Sequence, residues 1–325
     1  MHQIKILYLS QSDILDLGVT MHKVIELVEI GLKEHGKGLV ENPPKPGIHG
    51  YPNSFIHAMP AYFSNLNIGG IKWVSGYPSN REIGLPQIIG LIILNDMKTG
   101  APICIMDGTW ITAMRTAAVS AITAKFCARE NSKVLGVVGA GVQGRQNIIA
   151  LKIVLPKLSE VKIFDINREA AIKLRDELSY RIGIKIHVCE GVEEVAKDSE
   201  VIVTATERLA KPIIKNEWFG AGCLGLGLEA SRAWYGDAIL TADKFITDDY
   251  EQTKHFKAQG AFADGLPDLY AELGKIVSGE KAGRENAKER ILAINIGLAL
   301  EDIILANHVY EIAKKSNRNL SLNLI

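Results

Sequence analysis

The chain has 325 residues, too many for one ordinary hydrophobic core and comfortable for two domains. It carries 37 Lys+Arg against 37 Asp+Glu, a formal net charge of zero, with 47% hydrophobic and 23% charged residues. That balance is ordinary for a globular protein and lacks the basic excess with which nucleic-acid binders displace counterions from phosphate. No charge-free stretch is both long enough and free enough of Gly and Pro to span a bilayer, so neither nucleic acid nor membrane is an expected partner. The opening segment, MHQIKILYLSQSD, has no long apolar core and no small-residue cleavage site, and a cytoplasmic location is expected. Cys104, Cys127, Cys189 and Cys223 stand far apart without a C-x-x-C pair, which suits reduced thiols and no metal site.

The first hundred residues read as a mixed α/β unit. Residues 12–35 are expected to be helical, with Ile14, Leu17, Val24, Leu27, Val28 and Leu32 near helical spacing. The stretch ENPPKPGIHGYPN at 41–53 holds four prolines and two glycines, which exclude a helix and predict an extended loop. The short runs FIHAMPAY, IGGIKWVSGY, QIIGLIILND and APICIMDG follow, rich in Ile, Val and aromatics and separated by turn residues, as in an antiparallel or mixed sheet.

The rhythm changes near residue 110. ITAMRTAAVSAITAKFCARE is Ala-rich with few breakers and predicts a helix over about 110–129. The strands VLGVVGAG, VKIFDI, KIHVCE and VIVTAT then alternate with helices, which implies a parallel sheet covered on both faces. Residues 284–314 read as one last long helical pattern. The expected division is 1–120 with 295–325 as an α/β substrate domain, and 121–294 as a dinucleotide-binding domain.

Gly139-Ala-Gly141-Val-Gln-Gly144 is a complete G-x-G-x-x-G after the strand Val134–Val138, opening a helix expected to begin near Arg145. In such a turn Gly139 permits the tight bend and Gly141 lets the backbone approach a pyrophosphate. Gly144 lets helix and strand pack, and the helix N-terminus offers free N–H groups to phosphate. Ala140, Val142 and Gln143 fall within the same loop. Asp165 ends the next strand, 21 residues beyond Gly144, where a carboxylate bonds the adenosine ribose and repels a 2′-phosphate. It also suits a helix N-cap. Arg168 pulls the other way, so NAD is the expected cofactor with NADP possible. Thr204 and Thr206, at the end of VIVTAT, are placed along the same crevice.

Outside the fingerprint, Lys72 interrupts IGGIKWVSGY, Arg115 interrupts ITAMRTAAVS, and Lys45 lies between prolines. A buried cation needs a partner, so each is read either as half of an internal salt bridge or as a clamp for a substrate carboxylate. For Lys45 the internal pairing is favoured. Glu229, in GLGLEASRAW, follows a strand end where ligands of parallel sheets bind, and is a candidate for proton transfer; otherwise it pairs with Arg232. His57 in FIHAMPAY is either a core or rim residue or a substrate contact.

MPAYF at 59–63, IKWVSGYPSN at 71–80, DGTWITAMRTAAVSAITAKF at 107–126, VLGVVGAGVQG at 134–144 and the VIVTAT strand resemble the ornithine cyclodeaminase/mu-crystallin family. The resemblance covers most of the chain, and its most specific part is T-x-x-R-T-A-A followed by G-A-G-x-Q. It implies a Rossmann domain plus a second α/β domain for dimerisation and substrate. It also implies a homodimer built through the first domain and the C-terminal helix. The shared chemistry of the family moves hydride between nicotinamide and the α-carbon of an amino or imino acid. Lys72 and Arg115 look like the pair that holds the α-carboxylate, Lys45 stands in the place of a further Arg, and Thr116 falls with the cofactor residues. Three departures accompany this. Glu229 stands where cyclodeaminases carry Asp, His57 stands in place of a Glu that suits a distal ammonium, and Gln87 lies where a substrate-contacting Thr is found.

The leading expectation is an NAD(P)-dependent imine reductase or amino-acid dehydrogenase. In it Lys72 and Arg115 grip the carboxylate, and Glu229 exchanges the proton at nitrogen. The alternatives are an ornithine or lysine cyclodeaminase with catalytic NAD, and a crystallin-like NAD(P)H-binding protein without turnover.

Overall fold

The computed structural model describes residues 3–207, 209–316 and 320–324. Two compact units divide the chain: Met1–Arg115 with Gly297–Ile325, and Thr116–Ile296.

The first unit is built on an eight-stranded sheet. Its order is Leu320–Asn323, Lys5–Leu9, Pro102–Asp107, Ile88–Asn95, Ile68–Gly76, Phe55–Phe63 and Val40–Glu41, with Gly47–Ile48 pairing Phe55–Phe63 alongside. The sheet is mixed: Lys5–Leu9 runs parallel to Pro102–Asp107, and the other neighbours are antiparallel. The predicted loop at 41–53 therefore contributes two short edge pairings. Helices Met21–Gly36 and Ala299–Ala313 pack on one face, where a Cβ on Gly31 would touch Leu300, Ile304 and Phe63. Side chains alternate along strands. Met59, Lys72, Ile92 and Met106 are opposite one another in register and buried on that face. Trp73, Leu91, Ile89 and Tyr8 fall on the opposite face and stay exposed.

The second unit holds an eight-stranded, all-parallel sheet. Its order is Lys185–Val188, Glu160–Phe164, Val134–Val138, Val201–Thr204, Leu224–Gly227, Ile291–Ile294, Lys244–Thr247 and Leu269–Glu272. From Val134–Val138 the chain winds first to one side and then, at Val201–Thr204, to the other. This is the topological switch of a Rossmann fold, and ligands of such sheets bind at the carboxyl ends beside it. The protein is thus an α/β chain with a Rossmann-type unit, and the Ala-rich segment forms the expected helix, Thr109–Cys127.

Three expectations need correction. The segment 12–35 forms two helices, Gln11–Asp16 and Met21–Gly36, because the Thr20 side chain accepts the Lys23 N–H and restarts the helix. The fingerprint helix begins at Val142 rather than near Arg145. The pattern at 284–314 is not one helix but the strand Ile291–Ile294 followed by the helix Ala299–Ala313. A four-residue apolar run fits either period, and its buried place between two parallel strands decides for the strand. All four cysteines are free and buried, and burial pushes the Cys104, Cys127 and Cys223 thiols up to about 12. Among the described residues no cluster suits a metal ion, and no helix is long and apolar enough to cross a membrane.

Candidate active site

In the second unit, the turn after Val134–Val138 has the geometry that its glycines predict. Gly139 has φ +110, and a Cβ there would lie 2.4 Å from the Ala205 carbonyl oxygen. A Cβ on Gly144 would lie 1.9 Å from the Gly139 oxygen, so helix and strand meet with no room for a methyl. Gly141 differs: nothing lies within 4 Å of its Cβ position, and it caps the helix Val142–Val154 without a side-chain hydrogen bond. The first N–H groups of that helix are thus bare of side-chain caps, beside open space on the backbone. Val142 is largely exposed, and the Gln143 carboxamide accepts from Asn147.

Asp165 is not a helix N-cap. That post belongs to Asn167, whose side chain accepts the Ala170 N–H. The Asp165 carboxylate instead accepts the Ala140 N–H at 2.7 Å and the Asn167 N–H at 2.8 Å, which anchors it to the glycine turn. Each carboxylate oxygen keeps a further lone pair for a ribose hydroxyl. Arg168 ion-pairs with Glu190 at 2.6 Å, so its charge is already matched. Thr206 keeps a buried hydroxyl with no hydrogen-bond partner. The open space at Gly141, the uncapped helix start and this orphaned hydroxyl fit a dinucleotide.

Glu229 lies just beyond the carboxyl end of Leu224–Gly227, whose last residue is opposite Thr204. The Thr204 hydroxyl donates to Glu229 Oε1 at 2.6 Å and accepts from the Trp234 indole at 3.1 Å. Thr204 is therefore not a crevice-lining contact as expected; it is fully buried and holds Glu229. Glu229 Oε2 is buried with no hydrogen-bond partner, and Arg232 is not its partner. Burial pushes the carboxyl up to about 8, against the pull of the Thr204 hydroxyl and nearby backbone N–H groups. It is an acid that keeps its proton at neutral pH, as general-acid catalysis requires. The next residue, Ala230, has φ +58, a left-handed conformation that side-chain-bearing residues rarely adopt.

In the first unit, Lys72, Arg115 and Lys45 are all buried. Lys72 Nζ lies 2.5 Å from Asp302 Oδ2 and 3.3 Å from the Thr112 hydroxyl. Arg115 donates through Nε to Asp302 Oδ1 at 3.0 Å and through Nη1 to Glu301 Oε2 at 2.6 Å. Lys45 Nζ donates to the Gly297 carbonyl at 3.0 Å. Burial and the Arg115 charge press Lys72 down to about 7, while Asp302 pulls it back up. Glu301 and Asp302 were missed in the sequence. Their signal was the adjacent acidic pair inside the otherwise apolar run IGLALEDIILA, and the buried cations required partners.

His57 is buried on the same sheet face as Lys72, stacked on Phe55 at 4.3 Å and edge-on to His49 at 5.9 Å. Gln87 stands apart: its carboxamide accepts from Arg81 at 3.1 Å, and no described hydrogen bond joins it to the three cations. Thr116 follows Arg115 on the helix Thr109–Cys127.

A family model described as the ornithine cyclodeaminase/mu-crystallin family matches residues 7–317. The nodulation efficiency protein NfeD of Rhizobium meliloti is 33% identical, over 95% of each chain. The solved Delta(1)-pyrroline-2-carboxylate reductase of Thermococcus litoralis, in complex with NADH and L-proline, is 34% identical with a TM-score of 0.88, covering 97% of this chain and 99% of its own. An archaeal alanine dehydrogenase dimer with bound NAD is 31% identical with a TM-score of 0.88, covering 99% of this chain and 100% of its own. With fold, glycine turn and the R-T-A-A block all in agreement, this chain belongs to the ornithine cyclodeaminase/mu-crystallin family.

Proposed function

We propose that the protein is an NAD-dependent imine reductase or amino-acid dehydrogenase acting on a small α-imino or α-amino acid. The observation that carries this reading is Glu229, a buried carboxyl at about 8 on the same sheet edge as the glycine turn. Reduction of a C=N bond needs an acid still protonated at neutral pH, and oxidation of the amine needs the same group as base. When bound, NADH would supply the hydride to the α-carbon of the imine, and NAD would accept it in amine oxidation. It would be held by the turn Gly139–Gly144, the Asp165 carboxylate and Thr206. The pairing of Arg168 with Glu190 favours NAD over NADP.

Lys72, Arg115 and Lys45 hold the substrate α-carboxylate. The buried acids Glu301 and Asp302 hold Arg115, and Asp302 holds Lys72, in place. Fixing a substrate carboxylate on these cations orients the reacting carbon. His57 meets the substrate side chain and suits a neutral or anionic group. Two similar proteins of solved structure are by name a pyrroline-2-carboxylate reductase and an alanine dehydrogenase, which supports a substrate of this class. A homodimer accompanies this reading. The exposed apolar residues Trp73, Leu91, Ile89 and Tyr8 share the sheet face away from the helices, and such a patch calls for a partner.

Absorbance at 340 nm tests the function, with NADH and NADPH each supplied against pyrroline-2-carboxylate, and against pyruvate, oxaloacetate and glyoxylate with ammonia or methylamine. Ornithine with NAD runs in parallel. Oxidation of NADH by one of these acids is expected. Ammonia and proline from ornithine, with no NADH consumption in any other well, would overturn the reductase in favour of a cyclodeaminase.

A further inference from the structure

Glu301 and Asp302 occupy the first turn of the helix Ala299–Ala313, whose first half, Ala299–Ala306, is otherwise apolar and buried throughout. Stability does not ask for them: replacing a buried ion cluster by apolar side chains is often neutral or stabilising. Their geometry is specific. Asp302 spends one oxygen on Lys72 and the other on Arg115, so a single carboxylate sets the spacing between two cations. Glu301 takes a second nitrogen of the same guanidinium, which leaves Arg115 no freedom to rotate. A few residues earlier, the Gly297 carbonyl holds Lys45, and a Cβ on Gly297 would lie 2.5 Å from Arg115 Nη1. One short segment, 297–302, therefore arranges all three cations.

We propose that Asp302, seconded by Glu301, is the positioning residue of the carboxylate clamp, holding the Lys72 ammonium and the Arg115 guanidinium in register for a substrate α-carboxylate. This rests on the substrate class proposed above. Asp302 does two things at once. It fixes the Arg115 fork, whose bidentate geometry a misplaced guanidinium cannot offer. It is also the counter-charge that keeps a wholly buried lysine protonated. The groups facing Lys72 are Asp302 from the C-terminal helix, Arg115 and the Thr112 hydroxyl from the helix Thr109–Cys127, and Lys45 from the loop before Gly47. Among these the carboxylate is what favours the charged form, and burial and two cations oppose it.

The test compares the full-length wild type with Asp302→Asn, which keeps the shape and removes the charge. In carbon-13 NMR of lysine-labelled protein, with the Lys72 signal assigned by Lys72→Arg, the wild-type titration midpoint is expected near 7. In Asp302→Asn it should fall by about one pH unit or more, the usual effect of losing an adjacent opposite charge. An unmoved midpoint overturns the proposal, and this readout needs no substrate. In steady-state kinetics the rise of KM with pH should move down with the midpoint. At pH 8, KM should rise about tenfold while kcat changes by less than about threefold, the pattern of lost uniform binding. Equal losses in kcat and KM at every pH would mark a merely structural residue and overturn it. If Asp302→Asn does not fold, Asp302→Glu carries the test. Its charge is retained, so the pH position should stay while KM rises; an unchanged KM overturns the proposal. Should Lys72→Met leave wild-type KM intact, the clamp reading itself fails, independently of the role of Asp302 in the titration.

Discussion

Glu229→Gln separates the two consequences of burying a carboxyl. In the unfolded chain this group titrates near 4.5 and in the folded protein near 8. A folded value above the unfolded one means that folding favours the protonated form. The associated stability is complete below pH 4.5, declines between 4.5 and 8, and is fully lost above 8. At about 1.36 kcal/mol per pH unit, the interval has a ceiling of about 5 kcal/mol, and partial exposure of the residue trims this to a few kcal/mol. Gln carries no charge, so Glu229→Gln removes the slope. The stability of Glu229→Gln relative to wild type should improve by a few kcal/mol on going from pH 5 to pH 9. Any pH-independent cost of the amide cancels in that comparison. Urea unfolding at both pH values measures it, with Tm as a second readout. Catalysis should move the other way, with kcat lower by about 10²–10⁴-fold through loss of the general acid. An unchanged stability difference between pH 5 and pH 9 would refute the burial reasoning. A loss of turnover below about twofold would remove Glu229 from the mechanism.

The glycine turn makes a paired prediction. Gly141→Ala should leave Tm unchanged but weaken NADH binding about tenfold or more, because its methyl enters space that only a ligand fills; Gly144→Ala should lower Tm, because its methyl meets the Gly139 carbonyl. Fluorescence titration with NADH and a melting curve decide both, and equal Tm values for the two variants would refute the assignment. The turnover number for imine reduction should be level at neutral pH and fall above about 8 as Glu229 loses its proton, while amine oxidation rises through the same range. A reduction rate flat to pH 9.5 would assign the proton to another donor. Ala230→Gly should stabilise the protein by up to about 1 kcal/mol in urea unfolding, since φ +58 strains alanine and not glycine. A net loss of stability would show that the Ala230 methyl packs for more than its backbone costs.

The dinucleotide unit was legible because its determinants are local. Gly139 takes a left-handed bend that its own sequence dictates, Gly144 meets the Gly139 carbonyl five residues back, and Asp165 closes onto Ala140 at the end of the next strand. Strand–helix alternation announced the parallel sheet for the same reason, as each element carries its own periodicity. The strand Ile291–Ile294 escaped because four apolar residues carry no period of their own; only its two parallel neighbours make it a strand.

In the candidate site, the sequence by itself pointed to Lys72, Arg115, Glu229 and the glycine turn. Each is a charge set in apolar surroundings, or a backbone bend with one chemical solution. What answers those charges was decided by the tertiary structure. Asp302 meets Arg115 across 187 residues, and the Thr204 hydroxyl meets Glu229 across 25. Burial makes a cation or an acid expensive wherever it falls, so the need for a partner can be read one residue at a time. The identity of the partner depends on which distant segments the packing of each sheet with its own helices brings within hydrogen-bond reach, and only the folded chain contains that distance.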